Sequence, residues 1–484
     1  MSSIVSSSLR TIARNAASVL VSEVVTRASA FVLYALVTRH LGLFRFGQLS
    51  LAMTLVYTAQ VLAAAGLKTL IVREAAKDRT KTGLYLVNGS LIVLGATFIS
   101  LALLLGFVWV MDYGSDTTWV VLLLALTLVP YALQTICEAL FQAVEQMHFI
   151  AYVNLPLNVA RALGVWILLR ADFGIYAVVG TLLAVQTAIA VVELWLVLTR
   201  VTRPTLRIDT GFVRKAVHAT APFLGIDVLI SVSGSIPIVL LSYFSNESNI
   251  GLLSAANQLL SPVMLLYQSV VLSLFPVMCR RYEEGIESLK QSAEGVTELL
   301  LAIALPIVVG LTILGDRILV LVYGGQDFAL ATFVLRIVVW QVVLRAYTTA
   351  LGQVLLAGNR ERTTLSIVAI NTVGGLALGM ILVSQFGLLG AAITIVATRG
   401  IGVIQHYVRL SRIAGRVNLI TPARTPALAS LCMGLFLVVG GYHGIVITIL
   451  AAAGVYVAAL VPLTVWSAGG VRQFRTRYLQ AWSE

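Results

Sequence analysis

Six ionisable residues stand deep inside long apolar runs of this chain: Glu23, Arg27, Arg161, Asp227, Arg345 and Arg399. A charge at the centre of a bilayer-spanning helix costs roughly 2.5–3.5 kcal/mol on insertion scales, so such residues face a bundle interior or a wet cavity and act on something there. Their neighbours are polar at helical spacing. Asn154, Asn158 and Arg161 follow an i, i+4, i+7 stripe, and Gln341, Arg345, Thr349 and Gln353 form another. Thr127, Tyr131, Gln134, Glu138, Gln142 and Glu145 line one side of a third helix. A helix that faces lipid on all sides carries no such stripes, and these faces suit a hydrophilic path.

Four of the six deep charges are arginines, which makes the path cationic. The guanidinium fork matches phosphate oxygens, so an anionic headgroup is the expected cargo. The candidate substrate-binding residues are therefore Arg27, Arg161, Arg345 and Arg399, with Asn158 and Gln341 beside them on the stripes. A carboxyl in such a place can load and release a proton, which makes Glu23 and Asp227 the candidate ion-coupling residues. Glu23 and Arg27 stand one turn apart, close enough to pair within their helix. Structural ion pairs between helices are the other reading of these charges. Lys68, Glu138, Glu193, Glu298 and Arg336 fall nearer to helix ends, where long side chains snorkel to the membrane surface.

The elements that position these groups follow from hydropathy. The 484 residues are 59% hydrophobic and only 11% charged, against roughly a quarter charged in soluble domains. Mean hydropathy is +0.95, which leaves no room for a large soluble domain. Apolar stretches of about 20 residues recur end to end, and in hydrocarbon they must be helices. The expected class is all-α, a polytopic membrane protein of about 14 transmembrane helices. The spans lie at 17–38, 47–70, 84–111, 118–141, 150–169, 175–199, 217–244, 251–279, 295–314, 329–356, 364–384, 388–408, 426–442 and 445–466.

The formal net charge of +12 points to orientation and away from nucleic acid, because the basic residues sit in short loops between apolar runs. Most of them fall in one alternating set of loops, typified by Arg73, Lys77, Arg79, Lys81, Arg200, Arg203, Arg280 and Arg281. The opposite set holds only Arg39, Arg45, Arg170 and Arg317. Basic loops stay in the cytoplasm, which places both termini inside.

The chain also repeats. Gly47-Gln48-Leu49-Ser50-Leu51-Ala52 and Gly251-Leu252-Leu253-Ser254-Ala255-Ala256 share the pattern G-x-L-S-x-A. The spacing from Gly47 to Gly251 also carries Glu23 onto Asp227. The implied organisation is a six-helix lobe over 1–204, a second over 205–412, and an added helix pair with a cytoplasmic tail over 413–484.

Catalytic signatures are missing. No G-x-x-x-x-G-K-[ST], HExxH, GxSxG or nucleotide-binding glycine loop occurs, and the loops are too short for a catalytic domain outside the bilayer. Cys137, Cys279 and Cys432 all lie in apolar segments, where they read as small buried hydrophobes. No metal site, disulfide or cofactor is expected, and the chain reads as a transporter, not an enzyme.

A family resemblance adds to this. Arg27, Thr38-Arg39-His40-Leu41-Gly42, Phe46-Gly47-Gln48-Leu49-Ser50, Gly66-Leu67 and Ile71-Val72-Arg73-Glu74 resemble the R-x-L-G, F-G-x-x-S, G-L and R-E pattern of the polysaccharide transporter family. That family, which includes O-antigen and related lipid-linked oligosaccharide flippases, belongs to the multidrug/oligosaccharidyl-lipid/polysaccharide exporter superfamily. Asn371 and Phe386-Gly387-Leu388-Leu389-Gly390-Ala391-Ala392 resemble its second-lobe signature. The resemblance implies alternating access. It also implies an undecaprenyl-diphosphate-linked oligosaccharide as substrate, moved from the inner to the outer leaflet of the cell inner membrane for cell-surface polysaccharide biosynthesis. The partners it implies are membrane lipids and polysaccharide polymerase or assembly proteins. A multidrug/toxin cation antiporter of the same superfamily is the alternative, although deep arginines would repel its cargo. A membrane glycan polymerase or ligase is a further one, opposed by the short loops.

The orientation is testable by cysteine labelling in intact cells. The 200–215 and 280–294 loops should be protected and the 112–117 and 245–250 loops labelled. Finding 112–117 and 200–215 on one side would overturn the alternation.

Overall fold

The computed structural model describes residues 2–64, 66–264, 266–267, 270, 274, 278, 285–325, 328–357, 361–440 and 444–467. Among the described residues the regular structure is helical, with no strand. The helices are α1 (Ser2–Ala64), α2 (Leu67–Lys77), α3 (Thr82–Met111), α4 (Ser115–Ala125), α5 (Leu128–Ala143), α6 (His148–Arg170), α7 (Ile175–Leu196), α8 (Thr210–Phe244), α9 (Glu247–Gln258), α10 (Ile286–Tyr323), α11 (Ala329–Val338), α12 (Gln341–Ala357), α13 (Glu361–Ala414), α14 (Thr421–Val439) and α15 (Ile445–Ser467). Among the described residues, eleven stretches are long and apolar enough to cross a membrane. The protein is a multi-pass membrane protein, as hydropathy required.

Two of those stretches are too long for one crossing. Val21–Lys77 has 57 residues and Thr363–Ile413 has 51. At 1.5 Å per residue the shorter would run about 77 Å, against a hydrocarbon core of about 30 Å. The helices α1 and α13 each contain one glycine off the helical backbone: Gly42 at φ 77° and Gly387 at φ 52°. The chain reverses at both. Tyr34 and Phe46 would lie about 18 Å apart along a straight helix, yet their ring centroids are 5.7 Å apart. Across Gly387, a Cβ built on Gly390 would collide with the Leu382 carbonyl, and Gly375 and Gly402 face Thr398 and Asn371 on opposite arms. Glycine is needed at these turns because an L side chain is strained at positive φ. The eighth expected span, 251–279, lies partly outside the described residues, as does Cys279.

The chain forms two compact units, Met1–Gly251 and Leu252–Glu484. In the first, α1 packs against α3, α4, α5, α6 and α8, and α5 packs against α2, α3 and α7. Lipid gives apolar side chains no reason to leave it, so the helices associate through small residues and polar contacts. Gly47 and Gly251, the repeat-equivalent pair, show this directly. A Cβ on Gly47 would strike the Glu247 carbonyl, and one on Gly251 would come within 2.6 Å of the Leu43 carbonyl.

Polar links hold the ends of this unit. Arg45 Nη1 donates to Gln48 Oε1 at 2.9 Å and to Asp116 Oδ2 at 2.8 Å. Gln48 Nε2 donates to Thr117 Oγ1, which donates to Glu247 Oε1 at 2.7 Å. At the other end the 202–209 segment is strapped over α3 by the buried Asn88. Its amide donates to the Arg207 carbonyl at 2.9 Å, and its oxygen accepts from the Asp209 N–H at 2.9 Å. Asp209 then caps α8 through Phe212 N–H. Between α2 and α3, Asp78 accepts from Thr80 and pairs with Lys81 at 2.9 Å, which holds its carboxyl below the usual carboxylate range.

In the second unit α10 is the central element and contacts α11, α12, α13, α14 and α15. The pair α14 and α15 docks on it through Leu314, Met433, Leu437 and Tyr456, and Tyr456 Oη donates to the Ala302 carbonyl at 2.7 Å. Cys137 is buried as expected, whereas Cys432 is exposed: it lies on the outer side of α14, away from that contact.

The Gly47 contact predicts opposite outcomes for two glycine-to-alanine changes. Gly47→Ala should destabilise by about 1–3 kcal/mol, the usual cost of overpacking. Gly95→Ala, exposed on α3 with open space around it, should be neutral or stabilise by about 0.5–1 kcal/mol through helix propensity. Thermal unfolding in mild detergent measures both.

Candidate functional site

The expected site residues divide between the two units. In the first, α1 and α6 bring Glu23, Arg27, Asn158 and Arg161 into one neighbourhood. Residues Ser22, Ser29, Leu33 and Val37 form the buried face of α1, and small hydroxyl residues on that side let α6 approach. Ser29 Oγ donates to the Asn158 carbonyl at 2.7 Å. Asn158 is 2% exposed; its amide donates to Thr26 Oγ1 at 3.2 Å and to the Asn154 carbonyl at 2.7 Å.

Arg161, one turn further along α6, reaches the same place. Its Nη2 donates to Ser29 Oγ at 3.2 Å and to the Thr26 carbonyl at 3.4 Å. Its Nε has no acceptor, and Asn158 Oδ1 has no donor. Among the described residues Arg161 forms no ion pair with a carboxylate; the ionisable neighbour within electrostatic reach is the Tyr34 phenol. A half-buried guanidinium held by two neutral oxygens, with part of its fork unused, is a site that can accept an anion.

On the adjoining face of α1, Glu23 and Arg27 pair as their spacing required. Arg27 Nη2 lies 2.6 Å and Nε 2.7 Å from Glu23 Oε1. Asp227 lies in α8, which packs against α1, and its side chain is exposed. The same helix carries a hydroxyl ladder to α1, in which Ser235 Oγ and Thr58 Oγ1 meet at 2.7 Å and Ser231 Oγ donates to Thr58 Oγ1 at 3.3 Å.

In the second unit α12 and the α13 hairpin position the remaining residues. Val342, Ala346, Ala350 and Val354 form the buried face of α12, while Gln341, Arg345, Thr349 and Gln353 are half-buried beside it. The stripe read from spacing is thus a real face. Gln341 Nε2 donates to Asn257 Oδ1 at 2.9 Å. Arg345 is within electrostatic reach of Tyr267 and of Arg399, which stands on the second arm of α13. Arg399 forms no ion pair with a carboxylate among the described residues. Nearby on α13, Asn371 Oδ1, Thr398 Oγ1 and Gln405 Oε1 are buried without donors, and Gly402 keeps the two arms close enough for the Asn371 amide to reach its backbone. The Arg399 guanidinium and three buried acceptors without donors make this interior polar.

One expectation needs correction. Glu193 was expected to snorkel from a helix end, but it is 0% exposed. There α7 packs against α5, which covers the side chain. Lys68 and Glu138, assigned to the same class, pair with each other at 2.6 Å. The signal was present in the sequence: Gln186 and Glu193 recur at i, i+7 in an otherwise apolar run, opposite Gln134 and Glu138 on the preceding polar stripe.

With this geometry in place, comparison with known proteins is informative. Residues 12–281 match a family model described as polysaccharide biosynthesis protein. A probable low-salt glycan biosynthesis flippase of Haloferax volcanii is 25% identical over 178 residues, which covers 36% of this chain and 37% of that relative. The chain thus spans little more than a third of the length of the curated relative it matches. Among solved structures, a lipid II flippase, MurJ, in an inward closed conformation superposes with a TM-score of 0.74 at 14% identity, covering 91% of this chain and 97% of that one. An inward-facing multidrug resistance transporter of the MATE family, from the MOP superfamily, superposes with a TM-score of 0.65 at 14% identity, covering 80% and 94%. At such identities the superpositions establish a shared fold.

Proposed function

The chain belongs to the polysaccharide biosynthesis protein family, and we propose that it is a flippase for a lipid-linked saccharide. In this reading it carries an undecaprenyl-diphosphate-linked oligosaccharide from the inner to the outer leaflet of the cytoplasmic membrane, for cell-surface polysaccharide synthesis. It performs no chemistry on its cargo. Both termini lie in the cytoplasm, and the polymerase or assembly proteins that receive the glycan are its partners in the membrane. The flippase names of the Haloferax relative and of the MurJ structure support this class of cargo.

The observation that carries the reading is the pair of guanidinium groups, Arg161 and Arg399, held within apolar helices without carboxylate partners among the described residues. Such cations are costly in a membrane and mark substrate paths. A diphosphate supplies the missing charge and matches the fork geometry. Within each unit the deep arginines are the groups that bind an anionic headgroup: Arg161 in the first, with Arg27 at the neighbouring face of α1, and Arg345 and Arg399 in the second. Asn158 and Gln341 fix the polar surroundings of these groups. A multidrug antiporter that expels cations would be opposed by the same charges.

Translocation needs a driving force. Asp227 has no adjacent cation on its own helix, where Ser231 stands at the position that Arg27 takes relative to Glu23. Asp227 is therefore the coupling group in this reading, and Glu23 the structural partner of Arg27.

Two experiments in reconstituted vesicles test these assignments. The Arg161→Ala, Arg345→Ala double variant should flip a lipid-linked saccharide about 10–100-fold or more slowly, since a hydrogen bond to a charged group contributes about 1.5–3 kcal/mol. Lys at either position should restore only part of the rate. An unchanged rate rejects the substrate role. Asp227→Asn should impair flipping driven by an imposed pH gradient more than it impairs binding of the lipid. Full gradient-dependent flipping by this variant would leave Asp227 a helix-contact residue only.

A further inference from the structure

The first unit contains a second polar cluster that the arginine sites do not use. Glu193, near the end of α7, is 0% exposed, and neither carboxyl oxygen has a hydrogen-bond donor. The charged and titratable groups that bear on it are Glu138 and Cys137 on α5 and Lys68 on α2. Among the described residues, α1, α4 and α6, which also pack against α7, bring no charged side chain to it.

The donors in this cluster are committed elsewhere. Lys68 Nζ lies 2.6 Å from Glu138 Oε2, and Gln134 Nε2 donates to Glu138 Oε1 at 3.0 Å. Gln186, on α7, donates through Nε2 to Gln134 Oε1 at 2.5 Å. Glu138 is thus satisfied on both oxygens and Glu193 on neither. With both carboxyls ionised, one ammonium would face two carboxylates, leaving one negative charge uncompensated. The surrounding core, which includes Ile71, Ile136, Leu140 and Val197, offers nothing to solvate it. An isolated carboxylate in such a medium is far too costly to persist, and the group neutralises instead. A single proton balances the cluster. A metal ion would need several oxygen ligands, and the described residues hold no group of three acidic, His or Cys side chains suited to one.

We propose that Glu193 is a proton-binding site, and that Glu138 is the group through which its proton is exchanged. Glu138 and Lys68 lead outward, with side chains 18% and 40% exposed. In the exchange the O–H bond on Glu193 breaks, an O–H bond forms on Glu138, and the Lys68 ammonium moves to the newly ionised Glu193. The net charge is conserved until Glu138 releases the proton to water. Directly after α7 the chain runs on as one wider turn, Val197–Val201, with Thr202 N–H donating to the Val197 carbonyl five residues back at 2.9 Å, an adjustment common beside functional side chains. This site is separate from the coupling role assigned to Asp227, and its test does not require transport.

Infrared difference spectroscopy on the full chain reconstituted in lipid, at neutral pH in light and heavy water, reads the carbonyl stretch of a protonated carboxyl. The wild type should show that band and Asp227→Asn should retain it. Glu193→Gln should lose it. Glu138→Gln should lose it as well, because Lys68 is then free to pair with an ionised Glu193. If Glu193→Gln fails to give a monodisperse protein, Glu193→Met makes the same comparison with an apolar side chain of similar length. A wild type without the band, or a band unchanged in the Glu193 variant, overturns the proposal. Sodium-dependent thermal stabilisation in place of the band overturns it in favour of a monovalent metal ion. A band that survives Glu138→Gln unaltered removes Glu138 as the exchange partner.

Discussion

In hydrocarbon an unmatched backbone N–H or C=O costs several kcal/mol, because no water is present to replace a lost partner. That constraint explains most of what is seen along this chain. The apolar segments are helical because only a helix satisfies its backbone within one segment. Where the chain has to reverse, it does so in very few residues, at Gly42 and Gly387, where positive φ values are reached without a clashing Cβ. Where a polar connection lies against the bundle, as at 202–209, a buried side chain answers its backbone: Asn88 supplies both a donor and an acceptor.

The same solvent removes the usual reason for helices to associate. A leucine leaves lipid for a protein interior with little gain, so closeness of approach and polar contacts decide the packing. The first unit brings backbone against backbone at Gly47 and Gly251, and ties α1 to α8 through Thr58, Ser231 and Ser235. The second unit docks α14 and α15 with a tyrosine, Tyr456, whose hydroxyl finds a helix carbonyl on α10.

Charge is where satisfaction is incomplete, and the incompleteness carries the functional reading. Glu23 with Arg27, and Lys68 with Glu138, are closed pairs. Arg161, Arg399 and Glu193 lack such closure. Arg161, whose Nε is unused, and Arg399 are cations, which fits an anionic cargo, and Glu193 is an acid with unused acceptors, which fits a proton. A bundle with only a structural role would gain nothing from retaining any of the three.

Much of this was legible in the sequence because its causes are local. Span length, the all-helical class and the Glu23–Arg27 pair depend on neighbours within a turn or two, and the stripe through Gln341, Arg345, Thr349 and Gln353 depends on helical period alone. The family pattern around Gly42 and Gly47 was readable for a similar reason, since those glycines answer steric demands at fixed places. Tertiary structure alone decided what each polar face meets. The Asn154–Asn158–Arg161 stripe meets α1, so Asn158 is buried in a helix contact, a fact that periodicity cannot supply. Glu193 differs from its expectation for the same reason: its nearness to a helix end says how far it is along the chain from the surface, while burial is fixed by the packing of α7 against α5. The assignment of Lys68 to Glu138, which leaves Glu193 without a partner, arises among three helices distant in sequence, and only their packing determines which of two carboxyls receives the one ammonium.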